Sequence, residues 1–332
     1  MIIQNTTPHI SYQPTVKANK QQYKSCSLPC DTVSFKGHVG AEKCAKVAVK
    51  HLIHETAFFR EPETNKIVKD YVTKNMSGKD KIRIISGGCS TGEEAVTYSM
   101  MFDNMADKVD ILGFDLSQKS VEQAKKGIYL FERPYPECKQ LAEDYGISAF
   151  NDSYLVYNNE KSLTKEEEQN KKLFDKFFEP SKEEVPEEKL SLMDRFQQWV
   201  VAKMNKEPIM RYEKKSYKLK DGQAKNCRFV QGDIKDIRKI AGEEKADVIL
   251  FRNVMYHLTN DSLRNPVKNT KAIVKDIGTK LKDSLNDGGL LVFGEKETIQ
   301  MSDDAVPVVM KELGFKPLNE TKDHPANIWQ KQ

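Results

Sequence analysis

Short apolar runs recur along the chain at 82–86 (IRIIS), 109–115 (VDILGFD), 227–231 (CRFVQ), 246–252 (ADVILFR) and 290–294 (LLVFG). Each is nearly continuous rather than alternating, the pattern of strands covered on both faces of a parallel sheet. Between them, apolar residues at helical spacing predict helices at 41–54, 63–76, Gly92 to about Asn104, Ser117 to Lys126, about 268–285 and 303–313. Pro62 reads as the break between the first two, Gly127 as a C-terminal cap, and the NDGG stretch as the end of the helix at 268–285. Two extended pieces, 315–319 and 327–331, close the chain. Strand and helix alternate, so the predicted class is α/β with a doubly wound sheet.

Two stretches break this alternation. From about Arg133 to Asn226 the chain is rich in charge and reads as an insertion or small subdomain, with two helices around Pro180 and Pro186. The second helix carries an apolar stripe at Leu190, Met193, Phe196, Val200 and Met204, which is expected to pack on its own domain. Residues 1–38 are polar and proline-containing, without the apolar segment of a secretory signal, and are expected to form a mostly disordered tail. The remaining 39–332 form the expected catalytic unit.

Bulk properties narrow the function further. The 332 residues are 38% hydrophobic and 31% charged, with a net charge of +4 and no basic clustering that would mark a nucleic-acid partner. No apolar run approaches the roughly 20 residues needed to cross a bilayer, so no membrane insertion is expected. Six cysteines include no Cys-x-x-Cys pair, so no metal is expected, and reduced thiols in the cytoplasm are the simplest reading.

The chemistry concentrates in SGGCSTGEEAV, where a strand meets a helix through glycines. Cys89 breaks the Gly-x-Gly-x-x-Gly pattern, and Glu93 stands where a P-loop of the Gly87 to Gly92 spacing needs lysine. Carboxylates here oppose phosphate, which implies a nucleoside-like ligand with a cationic group. S-adenosyl-L-methionine has those features. Glu93 and Glu94 also fit a capping box with Ser90 and Thr91, and both readings stand at this point. Asp115, at the end of the second strand, is placed to accept ribose hydroxyls, or else to cap the next helix. Asp233, after another strand, could meet an adenine edge or form a turn. Arg252, Asn253, Tyr256 and His257 follow a buried strand at the end where open α/β sheets bind ligands.

Taken together, TAFFR (56–60), GCSTGEEA (88–95), GFDLSQKSVEQAKKGIY (113–129), FVQGDI (229–234), DVILFRNVM (247–255) and GGLLVFGEKE (288–297) resemble the CheR-type chemotaxis receptor methyltransferases. The resemblance implies a Rossmann-like class I methyltransferase fold and transfer of a methyl group to glutamate side chains of chemoreceptors. Carried over by motif, His54, Thr56 and Arg60 line the pocket, and Glu94 faces the methionine end. Asp115 faces the ribose, Asp233 with Ile234 the adenine, and Arg252 with Asn253 the middle of the cofactor. Arg60 and His257 are the implied catalytic positions. His54 stands where the family has asparagine, His257 where it has tyrosine, and Val96 where it has another tyrosine. The family's helical N-terminal domain is not recognisable, and the subdomain before FVQGD is longer. Methylation of another protein or small molecule, and a silent cofactor-binding regulator, are the competing expectations.

Overall fold

A computed structural model describes residues 56–135, 138, 152–157, 163–183, 212–259, 269–295, 305–321 and 325–332. The expected N-terminal tail, the helix at 41–54, His54 and the second insertion helix lie outside the described residues.

The architecture is the doubly wound α/β sheet that the apolar runs predict. Seven strands are β1 (Ile82–Gly87), β2 (Val109–Asp115), β6 (Cys227–Gln231), β7 (Ala246–Phe251), β8 (Leu285–Phe293), β9 (Phe315–Pro317) and β10 (Ile328–Lys331), in the order β6-β2-β1-β7-β8-β10-β9. β6, β2, β1, β7 and β8 run parallel, and β10 pairs antiparallel with both β8 and β9. The six residues of β1 and of β7 are all buried, which explains why these strands read as continuous apolar runs. Alternate side chains supply two cores: Ile82 and Ile84 face one layer, while Ile85 faces the other with Leu112 and Phe251.

Helices cover both faces. α1 (Pro62–Met76) begins at Pro62, whose fixed φ and missing N–H suit a first helical position. α2 (Glu93–Met101) follows the glycine loop, and α3 (Gln118–Lys126) is capped by Ser117 accepting from the Ser120 N–H, with Gly127 at φ 63° closing it. α7 (Thr270–Asp283) and α8 (Ala305–Glu312) pack on the second face, where short α5 (Ile237–Ala241) and α6 (Met255–Thr259) also lie.

Two local expectations are corrected. The NDGG stretch, expected to end a helix, lies inside β8, which begins at Leu285. The register to β7 slips there, between Ala246 opposite Leu285 and Val248 opposite Leu290, and glycine at φ 75° (Gly288) accommodates the irregularity. In the charged region, an antiparallel sheet was not anticipated: β3 (Ile128–Pro134), β5 (Tyr212–Leu219) and β4 (Phe178–Ser181), in the order β3-β5-β4. The expected helix before Pro180 is present as α4 (Lys165–Phe177), closed at its start by a Thr164–Glu167 capping box. Pro180 itself sits in β4, an edge strand, where a missing N–H costs no ladder bond.

Candidate functional site

The chain leaves β1 and passes to β2 on one side of it, then returns through β7 on the other side. Open α/β sheets bind ligands at this reversal, beyond the carboxyl ends of the strands. There the structure brings together the glycine loop after β1, Asp115 ending β2, Asp233 beyond β6, and Arg252 and Asn253 beyond β7.

The glycine loop is folded inward on itself. The N–H groups of Gly88 and Cys89 both donate to the Phe114 carbonyl, at 2.8 and 3.0 Å, and the Gly92 N–H donates to the Cys89 carbonyl at 2.9 Å. Gly88 has φ 68°, and a Cβ there would come 2.4 Å from Val254 Cγ2, so only glycine fits. Asp115 joins two loops: its Oδ2 accepts from the Ser90 N–H at 2.9 Å and its Oδ1 from the Ser117 N–H at 2.8 Å. Each carboxylate oxygen still has capacity for a further donor. With four loop amides spent internally, this turn offers them to no phosphate. An uncharged sugar with two hydroxyl donors suits Asp115, so the residues fit an adenosine without phosphates.

The capping-box reading of the two glutamates is overturned. Gly92 is the N-cap residue of α2 and no side chain caps it. Thr91 Oγ1 instead donates to the Glu93 carboxylate at 2.7 Å. Glu94 turns into the sheet, where Ser86 Oγ donates to its Oε1 at 2.6 Å and Arg252 Nε pairs with its Oε2.

Arg252 is buried and satisfied by several elements. Nη1 donates to the Arg60 carbonyl at 3.0 Å and to Asn65 Oδ1 at 3.3 Å, and lies 3.6 Å from Glu61 Oε2. Burial penalises its cation, but Glu94, Tyr98 and Glu61 more than offset this and raise its pKa above the ordinary arginine value. Burial raises the pKa of Glu61 in turn, against the pull of Arg252 and Arg60. Glu61 Oε1 also accepts the Glu295 N–H at 3.2 Å, which ties the start of α1 to the end of β8.

Arg60 lies at the edge of this cluster. With its amide oxygen turned toward Arg60, Asn253 accepts from Nη1 at 2.6 Å and Nη2 at 2.5 Å. The Arg60 side chain keeps 28% exposure. Non-glycine residues with left-handed backbone gather around the site: Phe59 (φ 52°), Glu61 (φ 53°), Ser90 (φ 49°) and Asn253 (φ 59°). Such strain persists where neighbours over-determine it and is concentrated at functional positions.

The other expected residues are placed less tightly. Asp233 Oδ1 accepts the Lys235 N–H at 2.9 Å and caps a 3-10 turn that contains Ile234, so its turn-forming role is realised. Thr56 is half-buried beside the Phe58 turn. His257 is exposed on α6, its ring edge-on to Tyr256 at 5.9 Å. Sequence reasoning missed Glu61, Asn65 and Ser86, whose parts in the cluster depend on tertiary neighbours. The position of Glu61 directly after FFR was the one signal for it.

Residues 54–178 match the family model described as CheR methyltransferase, SAM binding domain. This segment is similar to the CheR family over those residues. A chemotaxis protein methyltransferase of Borreliella burgdorferi is 32% identical over 123 residues, which is 33% of this chain and 42% of that protein. A putative methyltransferase, Cher3, of Pseudomonas putida is 30% identical over 88 residues, 25% of this chain and 32% of its own length. The chain thus spans less than half the length of these curated relatives. Among solved structures, the rRNA methyltransferase AviRa of Streptomyces viridochromogenes matches with a TM-score of 0.40 at 11% identity, over 85% of this chain and 89% of that one. The cofactor that this description names is S-adenosyl-L-methionine, in keeping with a glycine loop that spends four of its amides internally. Among the described residues, no cluster of His, Cys, Asp and Glu is arranged for a metal, and no helix is long and apolar enough to cross a membrane.

Proposed function

We propose that this chain transfers the methyl group of S-adenosyl-L-methionine to glutamate side chains of chemoreceptor-like proteins in the cytoplasm. The observation that carries this reading is Arg60, held by Asn253, partly exposed, and joined through its carbonyl to the buried Arg252 that pairs with Glu94. A guanidinium so held presents planar donors to a second carboxylate.

When bound, the cofactor supplies an electrophilic methyl group on a sulfonium sulfur. An acceptor carboxylate is already ionised near pH 7, so the chain has no proton to remove. Its task is to hold that carboxylate in line and to exclude water. Arg60 orients the acceptor. Asp115 takes the ribose hydroxyls, Asp233 and Ile234 border the adenine, and Thr56 closes the pocket beside Arg60. Glu94 faces the methionine end, its carboxylate held in place by the buried Arg252, and Arg252 with Asn253 borders the middle of the cofactor. His257, exposed on α6, borders the acceptor's approach.

Calorimetry with S-adenosylhomocysteine tests the cofactor half. Wild type binds, and Asp115→Ala weakens binding by about tenfold or more, as expected for two lost hydroxyl contacts at about 1 kcal/mol each. No binding by wild type would sink the assignment. A base-labile methyl ester on a receptor-helix glutamate peptide, lost in Arg60→Ala, tests the acceptor half. Transfer to other substrates alone would refute it.

A further inference from the structure

Arg60 stands on a loop that is held from two sides. On one side, the Phe58 N–H donates to Asp152 Oδ2 at 3.0 Å, across a separation of 94 residues. The Phe58 ring is seated among Tyr129, Phe131, Phe174 and Phe178, with centroids 4.9 to 5.9 Å away. All of these belong to the layer built from β3, β4, α4 and the turn that contains Asp152. On the other side, the Phe59 N–H donates to Thr97 Oγ1 of α2 at 3.1 Å. Phe59 and Glu61, both left-handed, bracket Arg60, so its position depends on what these anchors impose.

We propose that Asp152 is a positioning residue: by fixing the Phe58 amide it sets where Arg60 stands, so that the β3-β5-β4 layer governs the arginine of the site. The inference rests on Arg60 having the role given above. Although Asp152 as a residue keeps some exposure, its carboxyl group is enclosed. Burial pushes that carboxyl up to about 7, the Phe58 N–H opposes the rise, and Glu93 of α2 adds to it. Tyr154, on the same turn, is the other titratable group beside it, its hydroxyl accepting from Asn170 Nδ2 at 3.2 Å. The ionised carboxylate makes a charge-assisted bond to Phe58, and the protonated acid a weaker one.

Hydrogen exchange on the full chain reads this directly. Asp152→Ala should speed exchange at the amides of residues 58–60 by about tenfold or more, the worth of one charge-assisted bond. The amides of β7 should keep their protection. Asp152→Asn retains an acceptor oxygen and should restore most of the protection. In wild type, after correction for intrinsic rates, protection at Phe58 should fall as pH drops from about 8 to 6, and in Asp152→Asn it should not. With a receptor-like glutamate peptide, Asp152→Ala should raise KM more than it lowers kcat. Unchanged exchange at 58–60, or a uniform loss that includes β7, would overturn the inference. S-adenosylhomocysteine binding measured on the same samples separates the two readings: its absence in wild type would remove the cofactor assignment, whereas the exchange result judges Asp152 alone.

Discussion

Arg252 is the side chain on which the site's charges converge, with Glu94 on one side and Glu61 on the other. Removing one partner of a buried ion pair costs about 3–5 kcal/mol, because the orphaned charges remain in a low dielectric. Arg252→Met should therefore lower stability in urea by about that amount at pH 7. The loss should shrink as pH falls, because the stranded Glu61 carboxyl, already raised by burial, takes up a proton. A loss that stayed constant with pH would show that packing rather than charge is at stake. The glycine loop makes a second claim at this scale. Gly88→Ala, strained at φ 68° and 2.4 Å from Val254 Cγ2, should destabilise by about 1–3 kcal/mol, and Val254→Ala should recover only the steric part. Legibility differed among such residues. Asp115 was readable because a strand end fixes its place, whereas the roles of Glu93 and Glu94 could not be divided from spacing. Their split was decided by Ser86 and Arg252, one strand away and 158 residues on from Glu94.

Elements buried on both faces were the readable ones. β2 matches its predicted bounds because every apolar position in it is demanded by one layer or the other, and the edge strand β6 matches too although only Phe229 in it is buried. β5 escaped for the opposite reason. Its sequence, YEKKSYKL, is half-buried throughout, with the Lys214 and Lys218 ammonium groups paired to Glu132 and Glu179 across the ladder. Neither continuity nor alternation of apolar residues marks such a strand. What the charged layer does contain is an aromatic nest around Phe58, including a stacked Phe174–Phe178 pair with centroids 4.5 Å apart. Phe58→Ala should cost about 3–5 kcal/mol by chemical denaturation, and Phe58→Leu clearly less. A cost below about 1 kcal/mol would mean that the layer and the sheet are not joined through this ring.

For the molecule as a whole, Asp152 gives stability a definite pH dependence. A carboxyl whose folded pKa, about 7, lies above its ordinary 3.8 takes up a proton on folding. Its contribution is therefore greatest below about pH 4 and is lost as pH climbs toward 7. Asp152→Asn should flatten that part of the profile and should be more stable than wild type at pH 8, a comparison that thermal melts in matched buffers would make. The α/β class was legible because strand and helix alternate, whereas the strand order and its reversal at β1 are set by the folded sheet. The coupling of the charged layer to the arginine was not, since one backbone amide and one distant carboxylate carry it. The inward hydrogen bonding of the turn after β1 has a consequence in a crowded cell. ATP and its relatives share the adenosine but arrive with a charged tail, and the amides of Gly88, Cys89, Ser90 and Gly92 are already engaged. A lysine placed at Glu93 would therefore not by itself turn the loop into a phosphate cradle, because those four amides would stay engaged.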